Sequence, residues 1–129
     1  QKPLSNYESL TTIQNNLNTL NKRYTTALST SLHKYELLLE RITYHNELLQ
    51  GKGLELNSSM SKIALVEDKL LDLKDKVESQ ESKIFFPLPH QVTLTFKNLK
   101  KDLNGLMAET KYLQSKIRHL ASTQLSFYS

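Results

Sequence analysis

Apolar residues recur at alternating steps of three and four along almost the whole chain. The last third is nearly unbroken: Val92, Phe96, Leu99, Leu103, Leu106, Thr110, Leu113, Ile117, Leu120, Gln124 and Phe127. This is the heptad pattern of a helix that buries a narrow seam against another helix. An earlier run reads Leu10, Ile13, Leu17, Leu20, Tyr24, Leu28, Leu32, Tyr35, Leu39, Ile42, Asn46 and Leu49. Three successive steps of four, from Leu20 to Leu32, act as a stutter that unwinds the supercoil locally. Between these runs lies a third stripe: Leu56, Met60, Ile63, Val66, Leu70, Leu73 and Val77, continued in spacing by Gln80 and Ile84.

The pattern predicts an all-α fold of three long, coiled-coil-like helices, about 6–50, 57–84 and 91–126. Two breaks separate them. Gly51-Lys52-Gly53 supplies a glycine for the left-handed residue that closes a helix, and Asn57, Ser58 or Ser59 is expected to cap the next one. Because the turn is short, the first two helices are expected to be antiparallel neighbours, a coaxial hinge being the alternative. The second break, Ile84-Phe85-Phe86-Pro87-Leu88-Pro89-His90, holds two prolines, which lack N–H groups and restrict the residues before them. Ser5-Asn6-Tyr7-Glu8 has the capping-box spacing for the first helix. Gly105 sits inside the third helix, either to allow a close crossing beside Leu106 or as a tolerated residue.

Composition agrees with helices. Of 129 residues only three are Gly and three are Pro, and there is no Trp or Cys. Without Cys, a disulfide scaffold and Cys-based zinc sites are ruled out. The chain is read as one helical coiled-coil segment, residues 1–129, of a longer protein. An intracellular location is expected, cytoplasm and nucleus not being distinguished.

Chemistry is sparse. The four histidines have no partner at metal-ligand spacing, and His33, Glu36 and Glu40, although on one helical face, are expected to form a solvated polar face. There is no phosphate-cradling glycine loop and no nucleophile beside a base, so no catalytic residue, no cofactor and no metal site is assigned and an enzyme is not expected. The polar run Gln14, Asn15, Asn16, Asn18 and Asn21 falls between seam positions and reads as an exposed face.

Three groups of residues point outward from the chain. The first is the seam. A closed bundle of helices this unequal would leave the start of the first helix overhanging, with Leu10, Ile13, Leu17 and Leu20 in water. Leu10, Ile13, Leu17, Leu20, Tyr24, Phe96, Leu99, Leu103, Leu106, Leu113, Ile117 and Leu120 are therefore expected to bury against other helical chains, in a homo- or hetero-oligomer. Asn46, at a seam position, either fixes register as a buried amide or reaches solvent near the helix end. The second group is the loop, where Phe85, Phe86 and Leu88 either plug the chain's own bundle or anchor a partner. The third is charge: residues 91–129 hold six basic and two acidic side chains. Lys97, Lys111 and Arg118 share one outer heptad position, with Lys101 beside that row and a gap from there to Lys111, and are candidates for contact with an anionic surface or an acidic protein partner. With no aromatics interleaved among them, the sequence does not favour nucleic acid or a membrane surface as the partner.

Together these features point to a structural interaction module, a coiled-coil subunit segment of a multi-protein assembly of the nuclear-pore, kinetochore or tether type. The alternatives are a self-contained three-helix regulatory domain of a membrane-fusion or trafficking protein, and a basic helical module for nucleic acid or membrane surface.

Overall fold

A computed structural model describes residues 6–125, with side chains from 9 to 124. It is all-α. Helix α1 spans Asn6–Gly51, α2 Asn57–Glu81 and α3 Val92–Leu125, and a single 3-10 turn at Pro89–Gln91 leads into α3. At 1.5 Å per residue α1 is a rod of about 69 Å. The Ser5 cap and the seam residue Phe127 lie outside the described residues.

The glycine turn works as its composition suggests. Gly53 takes φ of 91°, a conformation that costs other residues strain, and its N–H donates to the Gln50 carbonyl. The expected side-chain cap of α2 is not made. The N-cap is Leu56, with no side-chain hydrogen bond, because the Asn57 amide turns back to the Glu55 carboxylate instead. The side chain of Leu56 is buried in the turn, so packing rather than capping starts α2.

From this turn α2 returns antiparallel to α1. Glu36 pairs with Lys74 and, near the far end, Asn21 pairs with Gln80. Helix α3 then runs back alongside both, with Lys83 on Asp102 and Lys76 on Glu109 marking its flank toward α2. Relative to α1 it is parallel: Leu99 packs in one cluster with Leu17, and the Gln124 amide donates to the Ile42 carbonyl.

The heptad seams meet in the middle. A large apolar cluster contains Leu28, Leu32, Leu39 and Ile42 of α1, Ile63 through Val77 of α2, and Leu106, Leu113, Ile117 and Leu120 of α3. A smaller cluster of Leu17, Leu99 and Leu103, with Leu20 and Phe85 against it, closes the other end. Asn21 and Gln80 sit between the two, 0% and 4% exposed.

Four expectations are decided here. The α1 seam does not follow Leu20 and Tyr24. It steps through Leu17, Asn21, Thr25, Leu28 and Leu32, all buried, while Tyr24 is 38% exposed. Polar residues take those positions because each finds a partner: Asn21 bonds across to Gln80, and the Thr25 hydroxyl donates to the Asn21 carbonyl one turn back. The second helix ends at Glu81, three residues before Ile84. From Gln14 onward the start of α1 does not overhang, because the chain beyond α2 continues along it, whereas Ile13 is 36% exposed as expected. Finally, Gly105 has nothing within 4 Å of where a Cβ would sit, so it marks no close helix crossing.

Candidate functional site

The segment from Lys83 to Leu88 is neither helix nor paired strand, yet it is held in place. Gln14, Asn18 and Asn21 lie four and three apart, on one stripe of α1. Each bonds to the backbone of the chain leaving α2. The Asn21 amide donates to the Gln80 carbonyl at 2.8 Å, and its own oxygen accepts from the Gln80 amide at 2.9 Å. A helix C-terminus leaves carbonyls without helical partners, so Asn21 caps α2 from a different helix. Asn18 donates to the Phe85 carbonyl at 3.0 Å and accepts from the Phe85 N–H at 2.7 Å. One side-chain amide thus supplies both bonds that a neighbouring strand would make to that residue. Gln14 then donates to the Pro87 carbonyl at 3.1 Å.

These three amides were expected to be solvated. Instead Asn21 is buried and Gln14 and Asn18 are partly so, whereas Asn15 and Asn16 do face water. The segment they fasten is a strap laid along α1 where α2 no longer covers it.

Held this way, the strap alternates with the period of two of an extended chain. Phe85 turns inward onto Leu17, Leu99 and Leu103, and Pro87 is buried. Ile84, Phe86 and Leu88 turn outward and are 69%, 71% and 54% exposed. The loop residues therefore split: Phe85 plugs the chain's own bundle, while Phe86 and Leu88 stand free of it. Beyond Leu88, Pro89 occupies the first position of the 3-10 turn, where its missing N–H costs nothing. The Gln91 side chain closes that turn by accepting from the Leu88 N–H.

The other residues singled out in the sequence are distributed as follows. Leu17, Leu99, Leu103, Leu106, Leu113, Ile117 and Leu120 are buried within the chain itself. Leu10 and Leu20 are partly buried, and Ile13 and Phe96 lie at the surface, Phe96 at 47% exposed. Asn46 is 1% exposed, so it does not reach solvent, and its Oδ1 has no hydrogen-bond partner among the described residues. His33, Glu36 and Glu40 are not gathered into one ligand group: Glu36 turns to Lys74, whose ammonium hydrogen bond, with a smaller contribution from His33, holds the carboxyl below its ordinary pKa against the opposing effect of burial. Among the described residues no group of three or more His, Asp or Glu is placed to hold a metal ion. No helix among them is long and apolar enough to cross a membrane. Lys97, Lys111 and Arg118 are all exposed on the outer side of α3.

No protein-family model, curated protein or solved structure matches the chain at a significant level.

Proposed function

We propose that this chain is a structural interaction module, a helical bundle that presents its strap to a helical protein chain within a larger assembly. The observation that carries this reading is the outward row of Ile84, Phe86 and Leu88, three large apolar side chains on a backbone already ordered by Asn18 and Gln14. Apolar side chains this exposed and this close together gain by being covered. Fastening the backbone in advance removes part of the ordering cost that a free loop would meet on binding. The seam residues hold the module together, and the strap's outer row makes the contact.

A second reading is favoured by the closure of the three helices on themselves. A self-contained regulatory domain would take a partner helix in a surface groove, and one such groove lies between α1 and α2. Leu39 and Leu70 form its floor, Tyr44 and Leu71 its exposed apolar edges, and Glu40, Glu47 and Glu67 its rim.

Photocrosslinking in the native cell separates the two. With a benzophenone amino acid at position 86 of the full-length protein, discrete adducts with a second chain are expected. The same label at Tyr44 should give none, and neither should one at the exposed Asn15. Adducts at Tyr44 alone would select the groove. Equal smears from all three positions, or none from any, would refute the strap as a contact surface.

A further inference from the structure

The charges of this bundle are sorted by face. Every acidic side chain described on α1 lies at Glu36, Glu40 or Glu47, on the flank toward α2. The two acids of α3, Asp102 and Glu109, both face α2 and are paired to Lys83 and Lys76 at 3.7 and 3.0 Å. The opposite open face, formed by α1 and α3 side by side, is left with cations.

On α1 these are Arg23, Lys34 and Arg41. Spacings of 11 and 7 residues bring all three within about 20° of one direction around the helix. On α3 they are Lys97, Lys100, Lys111 and Arg118, whose spacings of 3, 11 and 7 are also helical repeats. All seven are exposed, and none makes an ion pair among the described residues. The α3 row spans about 31 Å at 1.5 Å per residue, and the α1 row about 27 Å. Because α1 and α3 are parallel neighbours, the two rows run together, with helix axes about 8–10 Å apart. The sequence shows only the α3 row with its gap between Lys101 and Lys111. The fold adds a second row beside it.

We infer that this face binds the phosphate backbone of a nucleic-acid duplex without regard to sequence. Rigid helices hold the cations along a length close to one duplex turn, about 34 Å. Backbone binding needs only cations so placed, since each neutralised phosphate releases counterions. A membrane surface fits less well. Charge alone anchors weakly to lipid, and a second, apolar signal is usually needed. Exposed apolar side chains stand only singly on this face, such as Leu48, seven residues beyond Arg41, and Phe96 beside Lys97, at 43% and 47%, and the two most exposed among the described residues, Ile84 and Phe86, lie on the strap instead. The acidic groove on the α1–α2 side would also orient the molecule, repelling a polyanion from that face while the other attracts it.

The test is fluorescence anisotropy with a labelled mixed-sequence DNA duplex of about one and a half turns, titrated at several salt concentrations. Five to seven phosphate contacts predict a slope of log K against log salt of about −4.5 to −6, unchanged for a second duplex of unrelated sequence. Neutralising five of the seven cations (R23Q, R41Q, K100Q, K111Q and R118Q together) should weaken binding at least 30-fold. Removing the α1 pair alone and the α3 trio alone should each cause a substantial part of that loss. Neutralising Lys62, Lys69 and Lys116 on the α2–α3 side should change affinity less than threefold. All variants alter exposed side chains, and thermal melts followed by circular dichroism verify that they remain folded. A slope shallower than about −2 would overturn the inference, as would equal losses at both sites, which would mean bulk charge. Binding to phosphatidylserine vesicles but not to the duplex would overturn it too and assign the face to lipid.

Discussion

Replacing Asn21 with Ala tests how much the amide clamp contributes. The substitution removes two hydrogen bonds, one to the Gln80 carbonyl and one from the Gln80 side chain, each worth about 0.5–1.5 kcal/mol net. What remains behind matters as much. The Gln80 carbonyl keeps the Lys83 N–H at 3.2 Å, so it is not orphaned. The Gln80 amide nitrogen, at a residue 4% exposed, loses its partner, and an unsatisfied buried donor costs about 1–3 kcal/mol. Some relaxation toward the cavity offsets part of this, so N21A should destabilise the bundle by about 2–4 kcal/mol. For a chain of this size that lowers the melting temperature by about 8–15 °C. Urea denaturation of N21A, Q80A and the double variant, followed by circular dichroism, completes a double-mutant cycle. Groups in direct contact should couple by about 1–2 kcal/mol, because once Gln80 is gone the second loss is smaller. If N21A costs less than about 0.5 kcal/mol, or the two changes simply add, the Asn21–Gln80 pair does not hold the end of α2.

Phe85→Ser should lower the melting temperature by removing an aromatic ring from the cluster of Leu17, Leu99 and Leu103, at a cost of about 2–4 kcal/mol, whereas Phe86→Ser should leave it within about 2 °C; the reverse order would mean the strap is turned the other way. Asn46→Leu should stabilise the bundle by about 1 kcal/mol, since it removes a buried oxygen without a partner, and a loss of stability would show that the amide is satisfied. Gly105→Ala should add up to about 1 kcal/mol, because the added methyl meets open space and the helix gains propensity; a destabilised variant would contradict that geometry. Glu36 has a folded pKa below its ordinary value, so its pairing with Lys74 stabilises above the unfolded pKa and is lost as pH falls through the folded one. Both partners are partly exposed, which limits the effect to at most about 1 kcal/mol. The stability gap between wild type and Glu36→Gln should therefore be present at pH 7 and shrink as pH falls below the ordinary glutamate pKa of about 4.3; a gap that does not shrink on acidification would remove the ion pair as its source.

Much of the fold is legible in the chain as written. Heptad spacing needs only local arithmetic, so three helices, their rough limits and the two breaks can be read without tertiary information. The buried rows Leu99 to Gln124 and Ile63 to Gln80 fall where the spacing places them. Reading by hydrophobicity fails where a polar side chain supplies its own partner. Leu20 and Tyr24 are more apolar than Asn21 and Thr25, but hydrogen bonds across to Gln80 and back along α1 make the polar pair the cheaper one to bury. A signal for the clamp was present, since Gln14, Asn18 and Asn21 themselves stand four and three apart. Its meaning depends on a backbone some 60–70 residues away, which spacing along α1 does not reveal.

The sequence by itself determines what each segment can do: form a helix, end one, turn inward along a stripe. Those properties arise from neighbours within a few residues and are written in local periodicity. Only the tertiary structure decided that the strap takes over where α2 stops, that Phe85 and Phe86 face opposite ways, and that cations on α1 join those on α3. Each of these depends on which helices become neighbours, and that choice is made by burying all three seams at once rather than by any segment alone.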